Sequence, residues 1–129
     1  MADASFDPSV YKRTTREQWD ASGAGYDAWG ATIGSMIRPS AEHMMDAMGI
    51  KEGSSVLELA CGSGAFTKLL AERVGAAGRV LATDLSPGMV ALASANADRA
   101  GLLQVDVREM DGEVFEFDEQ RFDSVVSSL

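Results

Sequence analysis

At 129 residues and 13.7 kDa the chain is long enough for one compact domain with a real core and too short for two of ordinary size. Hydrophobic residues at 46% and charged residues at 24% exclude a disordered or fibrous chain, and a formal charge of −9 with a pI near 4.4 argues against a nucleic-acid or anionic-membrane surface. A lone cysteine, Cys61, excludes an internal disulfide; no charged-then-apolar leader opens the chain and no apolar run approaches the ~20 residues that span a bilayer, so a cytoplasmic protein is expected.

The first nine residues, MADASFDPS, are small, polar and acidic and read as a loose end. Between Thr14 and Ile33, Trp19, Tyr26, Trp29 and Ile33 fall at helical spacing. One or two short helices with an aromatic stripe are expected there, broken near Gly23 and Gly25, each of which costs a helix roughly 1 kcal/mol relative to alanine. Pro39 and Ser40 predict the start of a further helix, with Ser40 as its N-cap and Gly49 marking its end. Met44, Met45 and Met48 on it are expected in the core, and His43, the only histidine, is expected in solvent.

From Ser55 the pattern changes. Ser55 to Leu59 reads as a strand, and Ala65 to Val74 as a helix with Phe66, Leu69, Leu70 and Val74 on one face. A second strand is predicted over Arg79 to Thr83. The next helix has Ser86 as N-cap, Pro87 at its first position and Gly101 just past its end. A third strand is expected from Leu102 and, after the acidic loop Asp111 to Glu119, a fourth in RFDSVVSSL, ending at Leu129. Strands alternating with helices in this way predict an α/β fold: a Rossmann-like, doubly wound parallel sheet with strand order 3-2-1-4 and N-terminal helices.

The turn after the first strand, ELACGSG, is kept free of bulk. Gly62 and Gly64 let the backbone turn sharply and approach a ligand, and the helix that follows offers free N–H groups to an anionic oxygen. Glycines in such a turn also have a plain explanation in connection geometry. What weighs against it is the expected placing of Glu58, Asp84 and Asp106 at or near three successive strand ends, since carboxylates are seldom buried without a partner. Asp84 can accept both hydroxyls of a ribose and Asp106 can meet an adenine edge. A dinucleotide fingerprint would place glycine where Thr67 stands, which disfavours a nicotinamide dehydrogenase, and the chain has no phosphate-cradling G-x-x-x-x-G-K-[ST].

These residues resemble the class I S-adenosylmethionine-dependent methyltransferases, especially the small-molecule branch that includes the ubiquinone- and menaquinone-biosynthesis-type enzymes. The resemblance runs through ELACGSG, VLATDLSPGMVALA, QVDV and RFDSVV, covering about Lys51 to Leu129. It implies an N-terminal helical lid over residues 1–50 and an S-adenosylmethionine-binding half-domain over 51–129. It further implies that Glu58 helps hold the cofactor's ammonium through water and that Ala60, Gly62 and Gly64 line its methionine part. Asp84 would take the ribose hydroxyls, Leu85 would lie against the adenine, Asp106 would accept from its amino group, and the Val107 amide would face a ring nitrogen. Tyr26, read first as a packing residue, could contact cofactor or substrate from the lid. Ala60 stands where many members carry glycine.

The resemblance thus implies methyl transfer from S-adenosylmethionine to a small-molecule acceptor, leaving S-adenosylhomocysteine, with no metal and no residue that can be named as catalytic. Cys61 is expected to be an apolar filler. Members of the family run on for roughly as many residues again, so a shortened chain is expected, and with it an alternative reading as a non-catalytic cofactor-binding or assembly module. Strand four would then lie at an open edge, where a homodimer is expected to pair.

Overall fold

The computed structural model describes residues 5–115, 117 and 121–128. Four parallel strands, β1 (Ser55–Leu59), β2 (Arg79–Asp84), β3 (Val105–Glu109) and β4 (Ser124–Ser127), form one sheet in the order β3-β2-β1-β4. Among the described residues the helices are α1 (Pro8–Ala28), α2 (Gly30–Ala47), α3 (Ala65–Val74) and α4 (Pro87–Arg99). The chain moves outward from β1 through β2 to β3, then returns to the other side of β1. The order therefore reverses beside β1, and the crevice outside the carboxyl ends of the strands opens there. Leu129 and parts of the acidic loop lie outside the described residues.

Alternation along the strands decides which side chains meet the helices. Val56, Val80 and Val126 join Phe66, Leu69, Leu70 and Val74 of α3 and Ala41, Met45 and Ile50 of the α2 segment in one buried cluster. Burying each large aliphatic side chain contributes roughly 1.5–3 kcal/mol, which makes this seam the main anchor of the fold. A smaller cluster, Cys61, Ala82 and Ala93, sits directly beneath the glycine turn.

The helices α3 and α4 follow the sequence signals closely. Ser86 caps α4 by accepting from the Met89 N–H at 3.0 Å, Pro87 is its first residue, and Gly101 takes a φ of 67° beyond its last turn. The N-terminal half departs from expectation in three ways. First, the stretch expected to be loose is already helical from Pro8, because Asp7 caps α1 by accepting from the Ser9 and Val10 N–H groups at 2.9 and 3.3 Å. Next, α1 runs unbroken through Gly23 and Gly25. Gly23 is buried against α4, where a Cβ would stand 3.1 Å from Leu92 Cδ1, so close helix approach offsets the propensity loss. Finally, α2 begins at Gly30 and passes through Pro39 instead of starting there. Ser40 does not cap it; its hydroxyl donates to the Ile37 carbonyl at 2.8 Å. An interior proline costs about 3 kcal/mol, and the burial of Ala41 and Met45 against α3 offsets that cost. Met48, expected in the core, is 41% exposed.

The third strand is also shifted. Leu102 and Leu103 close the end of α4, the Leu102 N–H donating to Ala97 O and the Leu103 N–H to Gly101 O, so pairing begins only at Val105. No helix among the described residues is long and apolar enough to cross a membrane.

Candidate functional site

The turn between β1 and α3 is built from left-handed backbone. Ala60, Gly62 and Gly64 have φ of 55°, 56° and 95°. Glycine meets this at no steric cost, but alanine does not. Ala60 is the one described non-glycine residue at positive φ, and Ala60→Gly is expected to stabilise the fold by about 1 kcal/mol, read as a higher denaturant midpoint at unchanged slope. An unchanged or lower midpoint would mean the turn carries no strain at Ala60.

Three sets of contacts hold the turn in place. The Cys61 N–H donates to Thr83 O at 2.9 Å, tying it to the end of β2. Asp84, the last residue of β2, accepts from the Gly62 N–H at 2.8 Å with one oxygen and from the Ser86 N–H at 2.9 Å with the other. Asn96 of α4 donates to Ser63 O at 2.9 Å and to Asp27 of α1 at 2.6 Å. Asp84 thereby spans the turn and the start of α4 with one carboxylate, half-buried, and its remaining lone pairs stay available to a ligand's hydroxyls. Leu85 follows it, also half-buried.

Glu58 is 1% exposed, beneath the turn, and accepts from the Thr67 hydroxyl at 2.6 Å. Among the described residues no Lys, Arg or His lies within ion-pairing distance of it. Burial pushes its carboxyl up to about 8; the Thr67 hydrogen bond opposes the shift and the nearby Asp84 charge adds to it. Cys61 is buried, and burial followed by the charges of Glu58 and Asp84 pushes its thiol upward, out of the reactive range. It is the inert filler expected.

Above the turn lies α1. Tyr26 brings Cε1 to 3.6 Å from where a Cβ of Gly62 would stand, and Trp19 packs edge-on against its ring at 5.9 Å between centroids. Asp20 accepts from the Ser86 hydroxyl and the Gly88 N–H, and these bonds, Ser86 foremost, hold its carboxyl below the usual range. The helix is thus fastened along the start of α4 with one aromatic edge over the glycines. A cavity of about 640 Å3 opens beside it, walled by small residues that include Gly30, Gly34, Ser63, Gly64 and Ala93. His43 is exposed on α2, away from all of these contacts, as expected.

Two expected site residues do not lie where the sequence suggested. Asp106 is the second residue of β3, beside Leu81 in the register, and its exposed carboxylate pairs with Arg108 at 2.8 Å. Val107 is in mid-strand beside Ala82 and packs against the Cys61, Ala82 and Ala93 cluster. Both misplacements follow from the strand starting three residues late. The carboxyl end of β3 instead carries Met110, whose N–H donates to Asp84 O at 2.9 Å, and then Asp111. Asp111 accepts from Lys12 of α1 at 2.6 Å, a bond that holds its carboxyl below the usual range, and it lines a cavity of about 290 Å3 with Thr83, Met110, Val114 and Phe117. Asp111-Gly112, a turn dipeptide one residue after the alternating V-D-V-R-E, was the signal available.

Comparison with known proteins agrees with this geometry. Residues 56–129 match the methyltransferase domain family. The chain is 32% identical over 120 residues to aklanonic acid methyltransferase DauC of Streptomyces sp. (strain C5), covering 93% of this chain and 53% of that protein. A SAM-dependent methyltransferase from Aquifex aeolicus superposes with a TM-score of 0.63 at 28% identity, over 67% of this chain and 46% of that one. A protein of Methanococcus maripaludis superposes with a TM-score of 0.73 over 84% of this chain and 49% of its own, at 23% identity, which speaks for the fold alone. The chain spans about half the length of these relatives.

Proposed function

We propose, for a chain that belongs to the class I S-adenosylmethionine-dependent methyltransferases, that the carboxyl ends of β1 and β2 bind S-adenosylmethionine and present its methyl group to a small-molecule acceptor. The observation that carries the reading is the left-handed turn Ala60–Gly64 tied through Gly62 to the carboxylate that ends β2. Glu58, a buried carboxyl without a cationic partner among the described residues, fits a ligand that carries an ammonium group. Ala60, Gly62 and Gly64 would lie along the methionine part, Asp84 would accept from the ribose hydroxyls, and Leu85 would lie against the adenine. Asp111, rather than Asp106, has the position to accept from the adenine amino group, with Val114 and Phe117 as apolar walls.

The cofactor, when bound, supplies a methyl carbon already activated by a sulfonium sulfur. The chain's own residues then need to align and to exclude water, not to donate or remove a proton. Tyr26 and Trp19, on the helix fastened over the turn, are placed for that exclusion. A small organic acceptor is favoured by the relative that acts on aklanonic acid and by the net charge of −9, which opposes nucleic acid.

A second reading is favoured by the span of the chain, 53% of its aklanonic acid relative: a cofactor-binding module that does not itself turn over. Titration calorimetry with S-adenosylmethionine, followed by a methyl-transfer assay with polyketide-type acids, separates the two. Binding with turnover supports the enzyme, binding without turnover supports the module, and no binding removes both.

For the 129-residue chain we also propose two-fold pairing through β4, whose one strand neighbour among the described residues is β1 and whose Val125 is half-exposed. Light scattering should return a dimer at high protein concentration, and a monomer throughout would overturn the pairing.

A further inference from the structure

Thr67 stands in the sequence where a dinucleotide site would carry glycine, yet the proposed binding mode gives it no task. The structure shows it 2% exposed on the first turn of α3, with its hydroxyl 2.6 Å from Glu58. This is the single side-chain hydrogen bond that Glu58 makes among the described residues.

Among the described residues, those named around Glu58 are negative or neutral. The end of β2 brings the Asp84 carboxylate, and the turn brings the Cys61 thiol, which stays protonated. From β4 comes apolar Val126, its register partner, and from β2 the methyl of Ala82. The α3 side contributes the Thr67 hydroxyl. A fully buried carboxylate beside a second carboxylate, with no cation at hand, is strongly disfavoured against its neutral acid. A donating hydroxyl suits either state, since the carbonyl oxygen of a carboxylic acid and either oxygen of a carboxylate can accept from it.

We propose that Thr67 is a positioning residue for Glu58 and that the pair forms a proton-linked receptor: Glu58 is a carboxylic acid in the free protein and releases its proton to solvent when the ligand's ammonium arrives. This rests on the reading of the turn as a cofactor site. The bound ammonium takes over the charge balance that the proton had maintained, while the Thr67 hydroxyl goes on donating to the same Glu58 oxygen. The raised titration of the free carboxyl, caused chiefly by burial, is consistent with this exchange and sets the pH range in which it is visible.

The test compares two probes by calorimetry from pH 6 to pH 9, in two buffers of different ionisation enthalpy. S-adenosylhomocysteine carries the ammonium; 5′-methylthioadenosine has the same adenosine and thioether without it. The expected result is an affinity for S-adenosylhomocysteine that rises by roughly tenfold per pH unit between 6 and 8 and then levels, with close to one proton released per ligand at the low end. Methylthioadenosine should bind with a flat profile.

Two flat profiles would overturn the proton-linked receptor and leave the cofactor reading standing. Failure of both probes to bind at any pH would remove that reading and the receptor with it. Thr67→Val should move the rising limb to higher pH and Thr67→Ser should restore it, and a limb unmoved in the folded valine variant would overturn the role of Thr67. Should valine prevent folding, Thr67→Ala gives the same readout. The carboxyl carbon shift of Glu58, followed against pH in the free wild-type protein, checks the titration independently of any ligand.

Discussion

Replacing Asp84 with alanine is expected to lower the affinity for S-adenosylhomocysteine by about 1.5–3 kcal/mol, or roughly ten- to a hundred-and-fifty-fold, through loss of charge-assisted hydrogen bonds to the ribose. A second loss comes with it. The Gly62 and Ser86 N–H groups both donate to this carboxylate, so alanine leaves two backbone donors without their acceptor and loosens the turn from β2. The two losses separate by variant. Asp84→Asn keeps an acceptor oxygen for one of the two N–H groups while removing the charge, so it should fold nearer to wild type and still bind weakly. Calorimetry on both variants, with denaturant unfolding alongside, reads the difference. A folded asparagine variant with undiminished affinity would remove Asp84 from the site.

Glu58→Gln is expected to act in opposite directions on binding and on stability. In the free protein the carboxyl titrates at about 8 instead of 4.5, so between those values the native state holds a proton that the unfolded chain has released. Its contribution is therefore complete below about pH 4.5 and is lost as the pH rises toward 8. Glutamine is neutral throughout and removes that loss. Wild type and variant should unfold at similar denaturant concentrations near pH 5, and at pH 8 the variant should be the more stable, by on the order of a few kcal/mol. The carboxyls held low by hydrogen bonds, Asp7, Asp20 and Asp111, titrate below this window and are common to both proteins. Parallel pH profiles for the two proteins would mean that Glu58 is ionised when buried. The gain in stability should come with weaker ligand binding at pH 8, because glutamine offers no charge to an ammonium.

The segment from β1 to α4 was legible because its local signals agree with its packing. Ser86, Pro87 and Gly101 frame α4, the apolar face of α3 is the face that meets Val56 and Val80, and the small residues of the turn mark where the backbone goes left-handed. The N-terminal helices were not legible in the same way. Whether Gly23 breaks α1 depends on what lies against it, and Leu92 is sixty-nine positions away in the sequence. Pro39 reads locally as a start, and only the burial of Ala41 and Met45 against α3 explains a helix that continues through it.

A residue's place in the fold was legible where it depends on one strand's own ending, as with Glu58 and Asp84. It was misread where the place depends on how much chain the preceding helix uses to finish. Three residues spent on closing α4 moved Asp106 and Val107 into mid-strand and brought Asp111 to the end of β3. The contacts of α1, Tyr26 over Gly62 and Asp20 on Ser86, join segments too far apart in sequence for spacing to reveal.

The most direct measurement is a backbone amide NMR titration of the 129-residue chain with S-adenosylhomocysteine near pH 8. The largest shifts are predicted at Cys61, Gly62, Gly64, Leu85 and Asp111, with Tyr26 following and the foot of the sheet around Ser55 and Arg79 silent. Saturable shifts confined to that foot, or none anywhere, would contradict an adenosyl site at the carboxyl ends of β1 and β2.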